Sequence, residues 1–345
     1  MLQNVSEMAI SHFRVVLFGL FCASLVTILF YISNTSQIEN VQGATSHPLV
    51  FQEYISNKSD KILLTLPVYI ERKKTIEKVC NTRGLKGDPS NLYWENKKLL
   101  DHIIVDVQHE LLYCYVPKVA CTNWKRIFMI LTGKANSTNV MDIPANDAHG
   151  QGILMRLSNY TSDEIEFYVN KFTKFLFVRH PFERLLSAYR NKLEQHYLSS
   201  QYFQMRYGRQ IIKRYRSNPS NESLMKGDDV TFQEFATYIT SPDNSFNEHW
   251  KPIVDLCQVC LIDYDIVGKY DTLYEDAKFI LKQIGKSDVM FPHAIKPSGT
   301  GPQLKKYYNT LSQKIIKDLY EIYKLDFELF GYSAEDYIKS NNSSS

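Results

Sequence analysis

Two short segments carry most of the chemistry that this sequence offers. The first is Tyr113-Cys114-Tyr115-Val116-Pro117-Lys118-Val119-Ala120-Cys121-Thr122-Asn123-Trp124-Lys125-Arg126. An apolar, β-rich run (111–116) enters a short turn bearing one lysine, and a helix-like run (124–131) leaves it. That order makes an anion cradle, because first-turn N–H groups and the positive end of the helix dipole converge on one point. The glycines of the GxxxxGK[ST] pattern are missing, so this is not a Walker loop. The second segment is a buried-strand pattern (174–178) followed by Arg179-His180-Pro181-Phe182-Glu183-Arg184-Leu185-Leu186-Ser187-Ala188-Tyr189-Arg190-Asn191-Lys192. Pro181 suits the first turn of a helix, where its missing N–H costs nothing. Arg179 then stands at the strand end, with Ser187 about two turns further along. An arginine offers a planar fork to a phosphate, and a serine adds a neutral hydrogen bond.

The elements that must position these groups alternate along the chain. Strands are expected at 102–107, 111–116, 174–178 and 261–267, and helices at 123–131, 162–169, 181–196, 232–239, 273–284 and 312–327. Interleaved strands and helices predict an α/β fold with a central, mainly parallel sheet flanked by helices. Of the 345 residues, 44% are hydrophobic and 22% charged, which suits one sizeable α/β core. The formal charge of +3 is too small to point to a polyanion by itself, so local clustering must carry that argument.

Both segments resemble the nucleotide-binding motifs of the Golgi carbohydrate sulfotransferases, which use 3′-phosphoadenosine 5′-phosphosulfate (PAPS). The first is similar to that family's 5′-phosphosulfate loop and the second to its 3′-phosphate motif. Asn247-Glu248-His249-Trp250, Leu256-Cys257-Gln258-Val259-Cys260, Tyr264-Asp265-Ile266-Val267-Gly268-Lys269-Tyr270 and the later block at 319–327 resemble the subgroup containing the chondroitin 4-O-sulfotransferases. The similarity runs from residue 101 to about 337, with a weaker match upstream. It implies a P-loop-like sulfotransferase fold. It also implies a donor site built from Pro117, Lys118, Val119, Ala120, Cys121, Thr122 and Asn123 on one side. On the other stand Arg179, His180, Pro181, Phe182, Glu183, Arg184, Leu185, Leu186 and Ser187.

Sulfuryl transfer needs stabilisation of charge on the departing bridging oxygen and a positioned alcohol. Lys118 is the electrophilic group for that oxygen. The N–H groups around residues 119–123 and the Thr122 hydroxyl should hold the phosphosulfate, and the resemblance implies that Arg179 and Ser187 bind the 3′-phosphate. Thr122 and Asn123 are also suited to capping the next helix. The acceptor hydroxyl needs a base. His149, whose location resembles that of the catalytic histidine in related sulfotransferases, is the first candidate, and His249 is the second. Glu248 is weaker than either, and a chemical role for His180 is not favoured. No metal is expected.

Residues 15–32 form an apolar run long enough to span a membrane, with His12 and Arg14 before it and no Lys or Arg until Lys58. Charge placement puts residues 1–14 in the cytoplasm and the rest in the lumen, although a cleaved signal peptide is the competing reading. Residues 33–74 read as a polar stem and 75–345 as the lumenal domain. N-glycosylation sequons at Asn34, Asn57, Asn136, Asn159, Asn221, Asn341 and Asn342 agree with that address. The expected localisation is the Golgi membrane, single-pass type II. Six cysteines fit an oxidising compartment. Cys22 lies in the apolar run. Cys257 and Cys260 are suited to a local disulfide, a redox pair or half a zinc site, and a structural disulfide is expected. Cys80, Cys114 and Cys121 are left to pair among themselves or stay free.

Arg206, Arg209, Lys213, Arg214 and Arg216, with Tyr202, Tyr207 and Tyr215 between them, are chemically suited to a glycosaminoglycan acceptor or to a solvated helix face. Nucleic acid shares that chemistry, but a lumenal domain would not meet it. The resemblance assigns chondroitin, at position 4 of N-acetylgalactosamine. Dermatan, terminal N-acetylgalactosamine or a glucuronic-acid-bearing glycan are the enzyme alternatives. A membrane-anchored glycan-binding protein without transfer activity is the alternative of another class. A nucleotide kinase is disfavoured by the missing Walker glycines and the absence of a magnesium-binding carboxylate set.

Overall fold

Four strands form one sheet in the order β1-β2-β3-β4. β1 (Ile103–Asp106) and β2 (Leu111–Cys114) pair antiparallel, while β2 with β3 (Thr173–Val178) and β3 with β4 (Ile266–Lys269) pair parallel. The computed structural model describes residues 67–242, 244–293 and 300–338. The expected cytoplasmic tail and membrane span lie outside the described residues, as do the stem up to residue 66, Cys22 and the sequons at Asn34, Asn57, Asn341 and Asn342. Among the described residues no helix is long and apolar enough to cross a membrane. Asn136, Asn159 and Asn221 are exposed.

The strands are buried along almost their whole length and mostly apolar, as expected where both faces of a sheet are covered. Helices α1 (Pro67–Thr82), α2 (Cys121–Leu131), α3 (Ser162–Lys171), α4 (Pro181–Tyr189), α5 (Arg209–Tyr215), α6 (Phe232–Ile239), α7 (Leu273–Gln283) and α8 (Gln313–Phe330) are the principal helical elements. Trp124 is packed among Tyr113, Phe175, Phe177 and Phe291, joining α2 to the sheet. Gly268 lets β4 approach that layer, since a Cβ there would stand 2.4 Å from the Phe177 ring. A second apolar cluster unites α4, α6 and α8 around Phe182, Leu186, Phe235 and Phe327.

Two sequence expectations shift at their ends. The strand expected at 261–267 starts at Ile266. Asp265 precedes it, pairing its N–H with the Lys174 carbonyl (2.8 Å) and taking the Lys174 N–H on its carboxylate (2.8 Å). The helix expected at 181–196 is α-helical only to Tyr189 and continues as a π-helical segment, Arg190–Glu194. The wider turn places Asn191 and Lys192 differently from a regular helix, and both lie in the site described below.

The disulfides overturn the expected Cys257–Cys260 bridge. Cys260 bonds Cys80 of α1, and Cys257 bonds Cys114 at the end of β2. Gln258, between them, is left-handed (φ 50°) and turns the chain so that the two sulfurs reach different elements. The bridges close separations of 180 and 143 residues. In the chain-entropy account, loops this long stabilise by about 5 kcal/mol each. Cys121 stays a buried free thiol.

The expected boundary between residues 74 and 75 falls inside α1, whose first half is bonded to the domain. Tyr69 Oη and Arg72 Nη1 both donate to the buried Asp276 carboxylate at 2.8 Å. Asp276 also accepts from Lys269 N and Thr272 Oγ1, so one carboxylate ties α1 to β4 and α7.

Candidate active site

The turn between β2 and α2 bends without glycine. Lys118 (φ 72°) and Ala120 (φ 57°) are both left-handed, an arrangement that costs about 1 kcal/mol per residue and turns successive N–H groups toward one concavity. Ala120 is the N-cap of α2 and provides no side-chain cap. Thr122 and Asn123, expected as alternative caps, are engaged elsewhere. Asn123 Oδ1 accepts from Arg126 Nη1 (3.0 Å), and Thr122 Oγ1 shares a 3.0 Å hydrogen bond with His149 Nε2. The Asn123 N–H turns back to the Ala120 carbonyl (3.1 Å), so of the first turn of α2 the Cys121 and Thr122 N–H groups are left for an anion, as a phosphosulfate cradle requires.

Lys118 Nζ donates to Asn191 Oδ1 at 3.0 Å. Burial, with Lys192 and Arg179 nearby, lowers its pKa to about 8. Lys192 is the cation common to the site. Its charge acts on Lys118, His149 and His249 alike. His149 is pulled down to about 4 by burial and then by Lys125, Lys192 and Arg126. His249 is held well below the ordinary histidine value, chiefly by burial and then by Lys192 and Lys118. Its Nδ1 lies 2.7 Å from Asn247 Oδ1, which fixes the ring. Both candidate bases are thus neutral near pH 7 and within electrostatic reach of Lys192. Glu248 faces His102, 3.6 Å from its Nε2.

The second segment does not act as one block. Arg179, 2% exposed, bonds Glu183 through Nε and Nη2, reaches the Lys118 carbonyl with Nη1 (3.4 Å) and lies 4.1 Å over the Tyr270 ring. It therefore joins the end of β3 to the lysine turn. Glu183 and Ser187, four residues apart, share a face of α4. Pro181 is the first residue of α4, and Phe182, Leu185 and Leu186 point into the second apolar cluster. His180 Nε2 donates to the Ser333 carbonyl at 3.0 Å, and the ring is caged by Phe182, Phe327, Tyr332 and Tyr337. Arg184 is consumed by three carbonyls, those of Pro117 (3.1 Å), Lys251 (2.7 Å) and Glu248 (2.9 Å). Those side chains build the site's frame and do not face its opening. Val119 is also buried, and its N–H is spent on the Val116 carbonyl (3.2 Å).

The basic row 206–216 is not one open face. Arg216 is spent on Asp229 and Glu234, and Tyr207 is buried against Trp250. Residues that the sequence reading left without a role stand closer to the chemistry: Asn191, Lys192 and Lys125. The first two lie inside the quoted 179–192 motif, but only the π-helical turn shows what they meet.

Residues 101–333 match the model of the sulfotransferase family. Carbohydrate sulfotransferase 11 of Rattus norvegicus is 48% identical over 246 residues, covering 70% of this chain and 69% of that protein. Carbohydrate sulfotransferase 14 of Danio rerio is 42% identical over 267 residues, 76% of this chain and 70% of that one. Carbohydrate sulfotransferase 8 of Mus musculus is 38% identical over 271 residues, 76% and 63% of the two chains. No solved structure matches. With the cradle, the buried lysine and the arginine at the end of β3 in place, these likenesses settle the family: the chain belongs to the sulfotransferases.

Proposed function

We propose that the protein transfers the sulfuryl group of PAPS to a glycan hydroxyl, position 4 of N-acetylgalactosamine in chondroitin, from a type II anchor in the Golgi membrane. The observation that carries the reading is the uncapped, glycine-free turn that sets Lys118 beside the Cys121 and Thr122 N–H groups, with Arg179 bonded to the same turn. The acceptor oxygen attacks sulfur while the bond from sulfur to the bridging phosphate oxygen breaks. The hydroxyl proton goes to His149, and the charge left on the departing 3′,5′-bisphosphate is met by Lys118 and the α2 N–H groups. Ser187 and Arg179 take the 3′-phosphate. The reading needs no metal. The apolar run 15–32, the sequons and two long-range disulfides support a lumenal, oxidising address.

The test incubates the protein with radiolabelled PAPS and a panel of desulfated glycans, followed by disaccharide analysis. Label at position 4 of chondroitin N-acetylgalactosamine is expected. Label confined to dermatan or to a terminal sugar moves the acceptor assignment, and donor binding without any transfer favours a glycan-binding protein.

A further inference from the structure

Two lysines among the described residues are more than nine-tenths buried, and only one has an anion. Lys174, 4% exposed, reaches Asp265 at 3.2 Å and the Phe172 carbonyl at 3.2 Å. Lys125, 7% exposed, forms no ion pair or hydrogen bond among the described residues; its ammonium rests 3.7 Å over the Tyr115 ring. A cation–π contact recovers only part of what burying an ammonium costs. Burial accordingly pulls the Lys125 pKa down. The position is expensive for the fold and lacks the partner that would offset it.

The surroundings say what that partner is. Arg156 stands 5.7 Å over the same Tyr115 ring, and His102 packs on it at 4.5 Å. Lys125 is the charge that weighs most on His149, the base candidate. The donor's anions already have Lys118, the α2 N–H groups and Arg179, and Arg179 meets the loop at Lys118. Lys125 lies one turn further along α2, beside Tyr115 and His149. The neighbourhood holds a carboxylate, Glu248, but it faces His102.

We propose that Lys125, parked on Tyr115 with Arg156 beside it, seats the uronate carboxylate of the acceptor and so selects chains in which a uronic acid adjoins the sulfated sugar. The inference rests on the chondroitin reading and names the residue that recognises that acceptor. On binding, the ammonium gains a charge-assisted hydrogen bond and loses little of its aromatic contact.

The experiment uses the full chain in detergent with two acceptors: desulfated chondroitin, and the same polymer with its glucuronates reduced to neutral glucose. Lys125→Met should raise KM for chondroitin about tenfold or more, the scale of one charge-assisted bond, with kcat changed less than about threefold. The wild-type chain should show the same penalty on the reduced polymer, where Lys125→Met adds no further loss. Lys125→Arg should restore most of the chondroitin KM. Adenosine 3′,5′-bisphosphate should bind the Met variant as it binds the wild type, which also certifies the fold. Equal losses on both acceptors, or nucleotide binding weakened by the same factor as KM, overturn the seat. So does a wild-type chain indifferent to carboxyl reduction. A wild-type chain that labels neither polymer sinks the chondroitin reading itself, an outcome separate from those three.

Discussion

Lys118 Nζ is held at 3.0 Å by the side-chain oxygen of Asn191, a neutral partner. A carboxylate there would neutralise the ammonium that the proposed mechanism sets against the leaving oxygen; an amide orients it and leaves its charge available. Lys118→Ala should lower kcat by about 10²–10³, the usual loss for one transition-state donor. Binding of adenosine 3′,5′-bisphosphate, measured calorimetrically, should weaken far less. Undiminished turnover would remove Lys118 from the leaving-group role.

Burial sets the working pH window. His149 is neutral above about pH 4, and Lys118 stays charged below about pH 8. A profile of kcat/KM against pH should therefore be bell-shaped with limbs near those values, and an acid limb near 6.5 would mean that His149 is not the base. Stability follows by linkage. The unfolded chain binds the His149 proton first, so stability is lost as pH falls from about 6.5 to about 4. The folded chain releases the Lys118 proton first, so stability is gained as pH rises from about 8 toward 10.5. Asn191→Asp should push the basic limb upward and reduce kcat, since the new carboxylate holds the proton on Lys118.

His149 and His249 both sit near Lys192, but only His149 touches the donor loop, through Thr122. His149→Ala should lower kcat by about 10²–10⁴, the range of general-base catalysis. His249→Ala should act mainly on KM for the acceptor. If steady-state kinetics show the reverse pattern, the base assignment passes to His249.

Arg184 gathers the carbonyls of Pro117, Glu248 and Lys251 with one guanidinium. Arg184→Lys cannot reproduce that fork and should destabilise the fold by about 3 kcal/mol. Urea unfolding would read this loss, and KM for both substrates should rise together because donor turn and acceptor segment share the brace. A rise in only one KM would contradict that coupling.

Removing the bridge that fixes α1 should be felt locally and globally. Cys80→Ser should cost about 2–5 kcal/mol, and hydrogen exchange across Pro67–Thr82 should accelerate more than exchange in β3. Unchanged protection of α1 would show that Asp276 alone suffices to dock it.

The sheet and the lysine-bearing turn were legible because their signals are local. Apolar runs at 111–116 and 174–178 can only be buried strands, and a lysine between strand and helix has one natural place. The disulfide partners were not legible: Cys257 and Cys260 are three apart in sequence, and a single left-handed residue sends them to elements 143 and 180 residues away. Nor could a periodic reading separate Arg179 from Arg184. Both are arginines in one motif, yet the first meets the lysine turn and aromatic Tyr270 while the second vanishes into three carbonyls. Asn191 and Lys192 were hidden for a different reason, because their placement depends on a π-helical turn that local periodicity does not announce; within it the Asn191 carbonyl accepts from Ser200 Oγ (2.7 Å).

Both disulfides enclose the tyrosine- and arginine-rich stretch around residues 206–216. A trypsin-like protease cutting there would sever the polypeptide without releasing either piece. The nicked molecule would migrate as one species until a reductant was added, and would carry Lys118 on one fragment and the Asn247–Trp250 segment on the other. Limited proteolysis would thus put Lys118, Lys125 and His149 on one polypeptide and His249 on another while covalent bonds still join the two.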